Sequence, residues 1–123
     1  MLDSRVLDED ELEDLLDAKG GASSNNNQLN GAQRKYLRGL AHSLKALVLV
    51  GKRGLTGSLI AEVDHALDAH ELVKVKFVDH KDERVAIAEA IETGTASTLV
   101  GRLGNTAIFY RPHKVKKKRK IEI

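Results

Sequence analysis

The sequence predicts an α/β domain whose elements run α-β-α-β-α-β-β, and three patterns predict it. An unbroken apolar run of strand length, Ala46-Leu47-Val48-Leu49-Val50, is followed after a glycine-bounded break by Leu59, Ile60, Val63, Ala66 and Leu67 at helical spacing. Further on, Val73, Val75 and Phe77 alternate with Lys74 and Lys76, as in a half-buried strand with one wetter face. Gly104-Asn105 then separates two more strand-like runs and reads as a hairpin turn.

Taken in order, Asn30 and Gln33 form a capping-box pattern with asparagine in place of serine or threonine. They open a first helix over about 31–43, with Leu37, Leu40, Ala41 and Leu44 as its apolar stripe. Arg34, Lys35 and Arg38 lie largely off that stripe and share a helix surface. The strand at 46–50 leads into Gly51-Lys52-Arg53-Gly54, after which Thr56 is placed to cap a second helix ending about His70. A strand over Leu72 to Val78 follows. Asp79 or Asp82 caps a third helix through about Thr93, with Val85, Ala88 and Ile91 inward and Gly94 as its C-cap. Strands near 97–102 and 106–110 complete the order, and no internal repeat is visible.

The 123 residues suffice for one domain with tails. Without cysteine, disulfides and thiolate metal sites are excluded. No apolar segment has the roughly 18–20 residues needed to span a membrane, and the acidic start resembles neither a secretory signal nor a transit peptide, so a cytoplasmic location is expected. The net charge of +2 conceals segregation. Residues 1–27 hold eight acids and two bases, whereas the rest of the chain carries +8. The expected partition is an acidic leader with a flexible GGASSNNN linker over 1–27, a folded domain over 28–112, and a basic tail over 113–123 that is disordered in isolation. A basic domain suggests a polyanionic partner, nucleic acid or anionic membrane, and composition alone does not choose between them.

The Gly51–Gly54 loop carries the most chemistry. Glycine lets backbone approach a polyanion closely, and two cations stand beside a helix N-terminus whose amides and dipole favour phosphate. It is not a mononucleotide P-loop, because Gly54 is followed by Leu55-Thr56 and no lysine stands where the phosphates would be cradled.

The chain resembles the CRM domain family (chloroplast RNA splicing and ribosome maturation), in particular its stand-alone YhbY-type members. The resemblance covers roughly Leu29 to Pro112 and is carried by four segments in order: Gln33-Arg34-Lys35-Tyr36-Leu37-Arg38-Gly39-Leu40-Ala41-His42, Val48-Leu49-Val50-Gly51-Lys52-Arg53-Gly54-Leu55-Thr56, His70-Glu71-Leu72-Val73-Lys74-Val75-Lys76 and Tyr110-Arg111-Pro112. It implies a compact fold with a four-stranded mixed sheet, similar to the C-terminal domain of bacterial translation initiation factor three. It also implies RNA contact through the GxxG loop, here Gly51, Lys52, Arg53 and Gly54, on precursor large ribosomal subunits. The acidic leader and the basic tail fall outside it.

The expectation is therefore a non-catalytic RNA-binding protein, a monomer that assists assembly of the large ribosomal subunit on precursor rRNA, with no membrane partner and no small-molecule substrate. Lys52 and Arg53 pair with phosphates, Thr56 belongs to the same RNA-binding set, and the amides near Leu55 to Gly57 at the start of the second helix add donors. Arg34, Lys35, Arg38 and Arg111 extend the footprint, and the tail adds affinity without sequence choice. Competing readings are a ribosome-associated adaptor held by protein contacts and an architectural DNA binder. No cofactor and no metal are expected, since the five histidines show no HExxH or comparable spacing. Four aromatics (Tyr36, Phe77, Phe109, Tyr110) are too few for base stacking of the RRM kind, which favours recognition of backbone and shape. Tethered by its linker, the leader could fold back on the basic loop or tail as a decoy for RNA.

Overall fold

A computed structural model describes residues 29–123, so the acidic leader, linker and decoy expected within 1–27 lie outside the described residues. The capping box at the start is formed. Asn30 Oδ1 accepts from the Gln33 amide at 2.8 Å and Gln33 Oε1 from the Asn30 amide at 3.0 Å, opening α1 (Gly31–Ala41). α1 stops two residues short of the expected end, because the His42 and Leu44 amides turn back to Gly39 and Ala41. β1 is only Val48–Val50; Leu47 makes a first backbone bond to Lys74 before the pairing proper begins. Thr56 Oγ1 caps α2 (Gly57–His70) by accepting from the Leu59 amide at 3.0 Å, and Leu59, Val63 and Leu67 form its buried face. β2 is Leu72–Phe77.

The third helix departs from expectation at both ends. A 3₁₀ turn, Lys81–Glu83, precedes α3 (Arg84–Thr95), and neither Asp79 nor Asp82 caps it; Asp79 Oδ1 instead accepts from the His80 amide at 2.7 Å. Gly94 is not the C-cap. It lies within α3, where a Cβ would meet Ile60 Cγ2 at 3.1 Å, and Ala96 takes the left-handed cap position at φ 53°. Val85 is half exposed and Ile87 is buried in its place. The inward stripe is Ile87, Ala88, Ile91 and Thr95, and Val85 sits roughly 100° round the helix from its centre. β3 (Thr98–Leu103) and β4 (Thr106–Tyr110) form the hairpin, with Gly104 at φ 60° as its turn requires.

The four strands make one mixed sheet of order β1-β2-β4-β3, with β1 and β2 parallel and the other pairs antiparallel. Strand alternation gives the sheet two unequal faces. One buries Val48, Val50, Val73, Val75, Phe77 and Phe109 beneath α2 and α3. The other buries Leu72, Val100, Ile108 and Tyr110 beneath α1, with Ile121 of the tail packed alongside. Val50 and Phe77 pair at one end of the sheet, Leu72 and Tyr110 at the other, and these two ends carry different chemistry.

Candidate nucleic-acid interface

At the end of β1 the Val50 carbonyl accepts from both the Val78 and Asp79 amides, at 3.0 and 3.1 Å, and holds the strand's exit firmly. The chain then reverses in a tight turn closed by the Gly54 amide on the Gly51 carbonyl at 3.0 Å. Lys52 and Arg53 stand exposed at its tip, and neither pairs with a carboxylate among the described residues. The turn feeds directly into the N-terminus of α2, where Gly57 and Ser58 are exposed.

The two glycines do different work. Gly54 is buried at φ 63°, and a Cβ there would lie 3.1 Å from the His80 ring, so its lack of a side chain serves the fold and not the approach of a ligand. Gly51 is exposed and a Cβ on it would meet nothing within 4 Å, which makes it the position open to an approaching backbone.

His80 is the site residue that sequence reasoning missed. Held at φ 56°, it brings Nε2 to the Lys52 carbonyl at 2.6 Å and Nδ1 to Glu83 Oε1 at 2.9 Å. Both partners are acceptors, so only the imidazolium can donate to both at once. The Lys52 carbonyl first and the Glu83 carboxylate next raise the His80 pKa above its ordinary value. The loop's backbone is thus braced from behind while its side chains face water. No sequence spacing signals this, because the contact spans 28 residues.

The remaining predicted cations are not brought to the loop as one group. Arg34 and Arg38 face the sheet and donate to the Leu99 carbonyl at 3.3 Å and the Val100 carbonyl at 3.0 Å; Lys35 alone of the three points fully outward. Gly101 makes room for the Arg38 stem, since a Cβ there would come within 2.5 Å of Arg38 Cδ. Thr56 is occupied as the cap of α2.

Arg111, expected to extend the footprint, is already occupied inside the fold. Only 13% of its side chain is exposed, and its guanidinium donates to Asp64 Oδ1 at 2.6 Å, Asp68 Oδ1 at 2.8 Å and the carbonyls of Thr95 and Asp64. It ties α2 to the end of α3 from the far end of the sheet.

The tail also differs from the disordered arm expected. Glu71, buried and at φ 65°, accepts from the His113 amide at 2.7 Å through Oε2, and from the Lys120 and Ile121 amides at 2.7 and 3.1 Å through Oε1. Lys116–Lys118 form a 3₁₀ turn, so the tail cations are displayed from a folded-back segment at the Leu72–Tyr110 end. Among the described residues no group of three or more His, Asp or Glu side chains could hold a metal ion, and no helix is long and apolar enough to cross a membrane.

Comparison with known proteins bears on this geometry. The family model of the CRS1/YhbY (CRM) domain matches residues 29–111. The probable RNA-binding protein YqeI of Bacillus subtilis is 37% identical over 90 residues, which cover 72% of this chain and 94% of YqeI. An RNA-binding protein of Haemophilus influenzae is 38% identical over 85 residues, 68% of this chain and 86% of its own length. Among solved structures, a Staphylococcus aureus protein presented as a candidate RNA binder superposes with a TM-score of 0.64 at 33% identity, covering 76% of this chain and 99% of that one.

Proposed function

The chain belongs to the CRS1/YhbY (CRM) domain family, and on that premise we propose that it binds RNA without catalysing a reaction, as an assembly factor of the large ribosomal subunit acting on precursor rRNA. The observation that carries this reading is the Gly51–Gly54 turn, which presents two permanent cations to solvent at a helix N-terminus, neither of them paired with a carboxylate among the described residues. Its relatives, named as RNA-binding proteins, support the ligand class. Lys52 and Arg53 take successive phosphates, Gly51 admits the sugar–phosphate backbone, and the first amides of α2 supply further donors. Contacts of this kind fix position on an RNA and read shape more than sequence.

Replacing Lys52 and Arg53 together by alanine tests the reading on precursor large-subunit rRNA. Binding should weaken and the slope of log K against log salt should flatten by about 1.4–1.8 units, since two phosphate contacts are lost. A variant that binds precursor rRNA like the parent, with the parent's slope, would falsify the loop assignment.

A further inference from the structure

The sheet's second face is only half covered. α1 buries Leu72, Val100, Ile108 and Tyr110 at one end, but at the loop end the register lines up Leu49, Lys76, Thr106 and Leu103 as one row across all four strands. Their neighbours Val48, Val50, Val75, Phe77 and Ala107 are buried beneath α2 and α3, so this row faces the other way. Leu49 is 55% and Leu103 68% exposed, and Leu47, on the same side of β1, is 49% exposed. Leu47 and Leu49 stand at one edge of the sheet and Leu103 at the other, about 14 Å away across Lys76 and Thr106, so the row carries an apolar, water-facing side chain at each end.

Charge narrows what could cover them. From Leu29 to Val50 there is no acidic residue, and both charged residues of β2, Lys74 and Lys76, turn to this face. Lys74 is half-buried and donates to the Leu44 carbonyl at 3.0 Å, while Lys76 is exposed. Glu62, Asp64 and Asp68 on α2 and Glu89 and Glu92 on α3 sit on the opposite side. Glu71 is occupied by the tail amides, Glu122 lies with the tail at the far end, and Asp79 and Glu83 are turned to His80 behind the loop. The fitting occupant is a polyanion that also offers apolar surface. Leu49 lies two residues from Gly51, about 7 Å along an extended strand, so the row begins where the loop would hold a backbone.

We propose that this row is a seat for unstacked bases of a single-stranded RNA segment whose backbone is held at the Gly51–Gly54 loop. It rests on the RNA reading above and adds a ligand class to it: unpaired RNA, with base faces laid on Leu49 and Leu103, a phosphate on Lys76 and the Thr106 hydroxyl at a base edge. Aliphatic side chains give up water to a base face without reading its identity, so the seat tolerates sequence but excludes a duplex, whose bases are already stacked.

The test compares the parent, Leu49→Thr/Leu103→Thr and Lys52→Ala/Arg53→Ala on three probes: an RNA oligonucleotide, an abasic backbone of equal length and an RNA hairpin duplex. The parent should favour the oligonucleotide over the other two. The leucine variant should lose about fivefold on the oligonucleotide and nothing on the abasic backbone, while the loop variant weakens on both. Both leucines are water-exposed and threonine suits a strand, so an unchanged thermal melt is expected to accompany the result. As an independent arm, Lys76→Gln should lower the salt slope on the oligonucleotide by about 0.7. A leucine variant that keeps the parent's oligonucleotide-to-abasic ratio overturns the seat. So does one whose RNA profile is unchanged but which no longer binds a poly-glutamate probe, since that would assign the face to an acidic protein. If instead the loop variant matches the parent on every probe, the RNA reading itself has failed.

Discussion

The two ends of the sheet use the same ionic chemistry to opposite purposes. At the Val50–Phe77 end, Lys52 and Arg53 project into water without carboxylate partners among the described residues, and only the backbone beneath them is braced, by His80. At the Leu72–Tyr110 end, Arg111 is saturated by Asp64, Asp68 and two carbonyls, and Glu71 by three amides of the tail. A charge already satisfied inside the protein has little left to offer a ligand, whereas an exposed one loses only water on binding. Partner occupancy therefore locates the candidate interface, where net charge alone could not.

The largest expected effect lies at the saturated end. Glu71→Ala strips the acceptors from three tail amides and should cost about 3 kcal/mol or more in denaturant unfolding, while the loop variants should barely move it. Smaller but similar in kind, Arg111→Ala should destabilise by about 1–2 kcal/mol, discounted because Asp64 and Asp68 are themselves 46% and 58% exposed. It should leave the salt dependence of RNA binding unchanged. A reduced slope in Arg111→Ala would erase the contrast between the two ends.

The glycine pair sharpens the contrast within the loop. Gly54→Ala forces a side chain into left-handed backbone against the His80 ring and should cost about 1–2 kcal/mol. Gly51→Ala meets nothing and should stay within about 0.5 kcal/mol of the parent while still weakening RNA binding. Equal stability losses at the two glycines would refute their different roles.

The smallest effect is a pH dependence of the brace. Because the His80 pKa is raised on folding, its contribution is complete below the ordinary value of about 6.5 and fades as pH climbs through the raised one. Above that value a neutral ring can donate to the Lys52 carbonyl or to Glu83, not to both. Asp79 and Glu83 face the ring and favour the proton. An NMR titration should find the His80 midpoint above the ordinary value, and Glu83→Gln should bring it down. A midpoint indifferent to Glu83→Gln would remove that carboxylate from the brace.

Local chemistry was readable where it acts over one or two turns. The Asn30–Gln33 box, the Thr56 cap and the Leu59-Val63-Leu67 stripe follow from spacing alone, since each is a contact between residues three or four apart. The position of the GxxG loop was readable for the same reason, as it separates a strand-length apolar run from a helix start. The end of α3 was misread because Gly94 is used for close packing against Ile60 and not for its backbone freedom, and nothing near it in the chain reports that neighbour.

What the amino-acid order determined by itself was the succession of elements and the place where glycine and two cations coincide, because propensity, capping and hydrophobic period are short-range properties. Only the tertiary structure decided that Gly54 is buried and Gly51 open, that His80 braces the loop, that Arg111 is occupied and that Glu71 folds the tail back. Each of those depends on which groups meet across 16 to 50 residues of chain. A basic residue is available to a ligand or already satisfied according to the partner that folding brings to it.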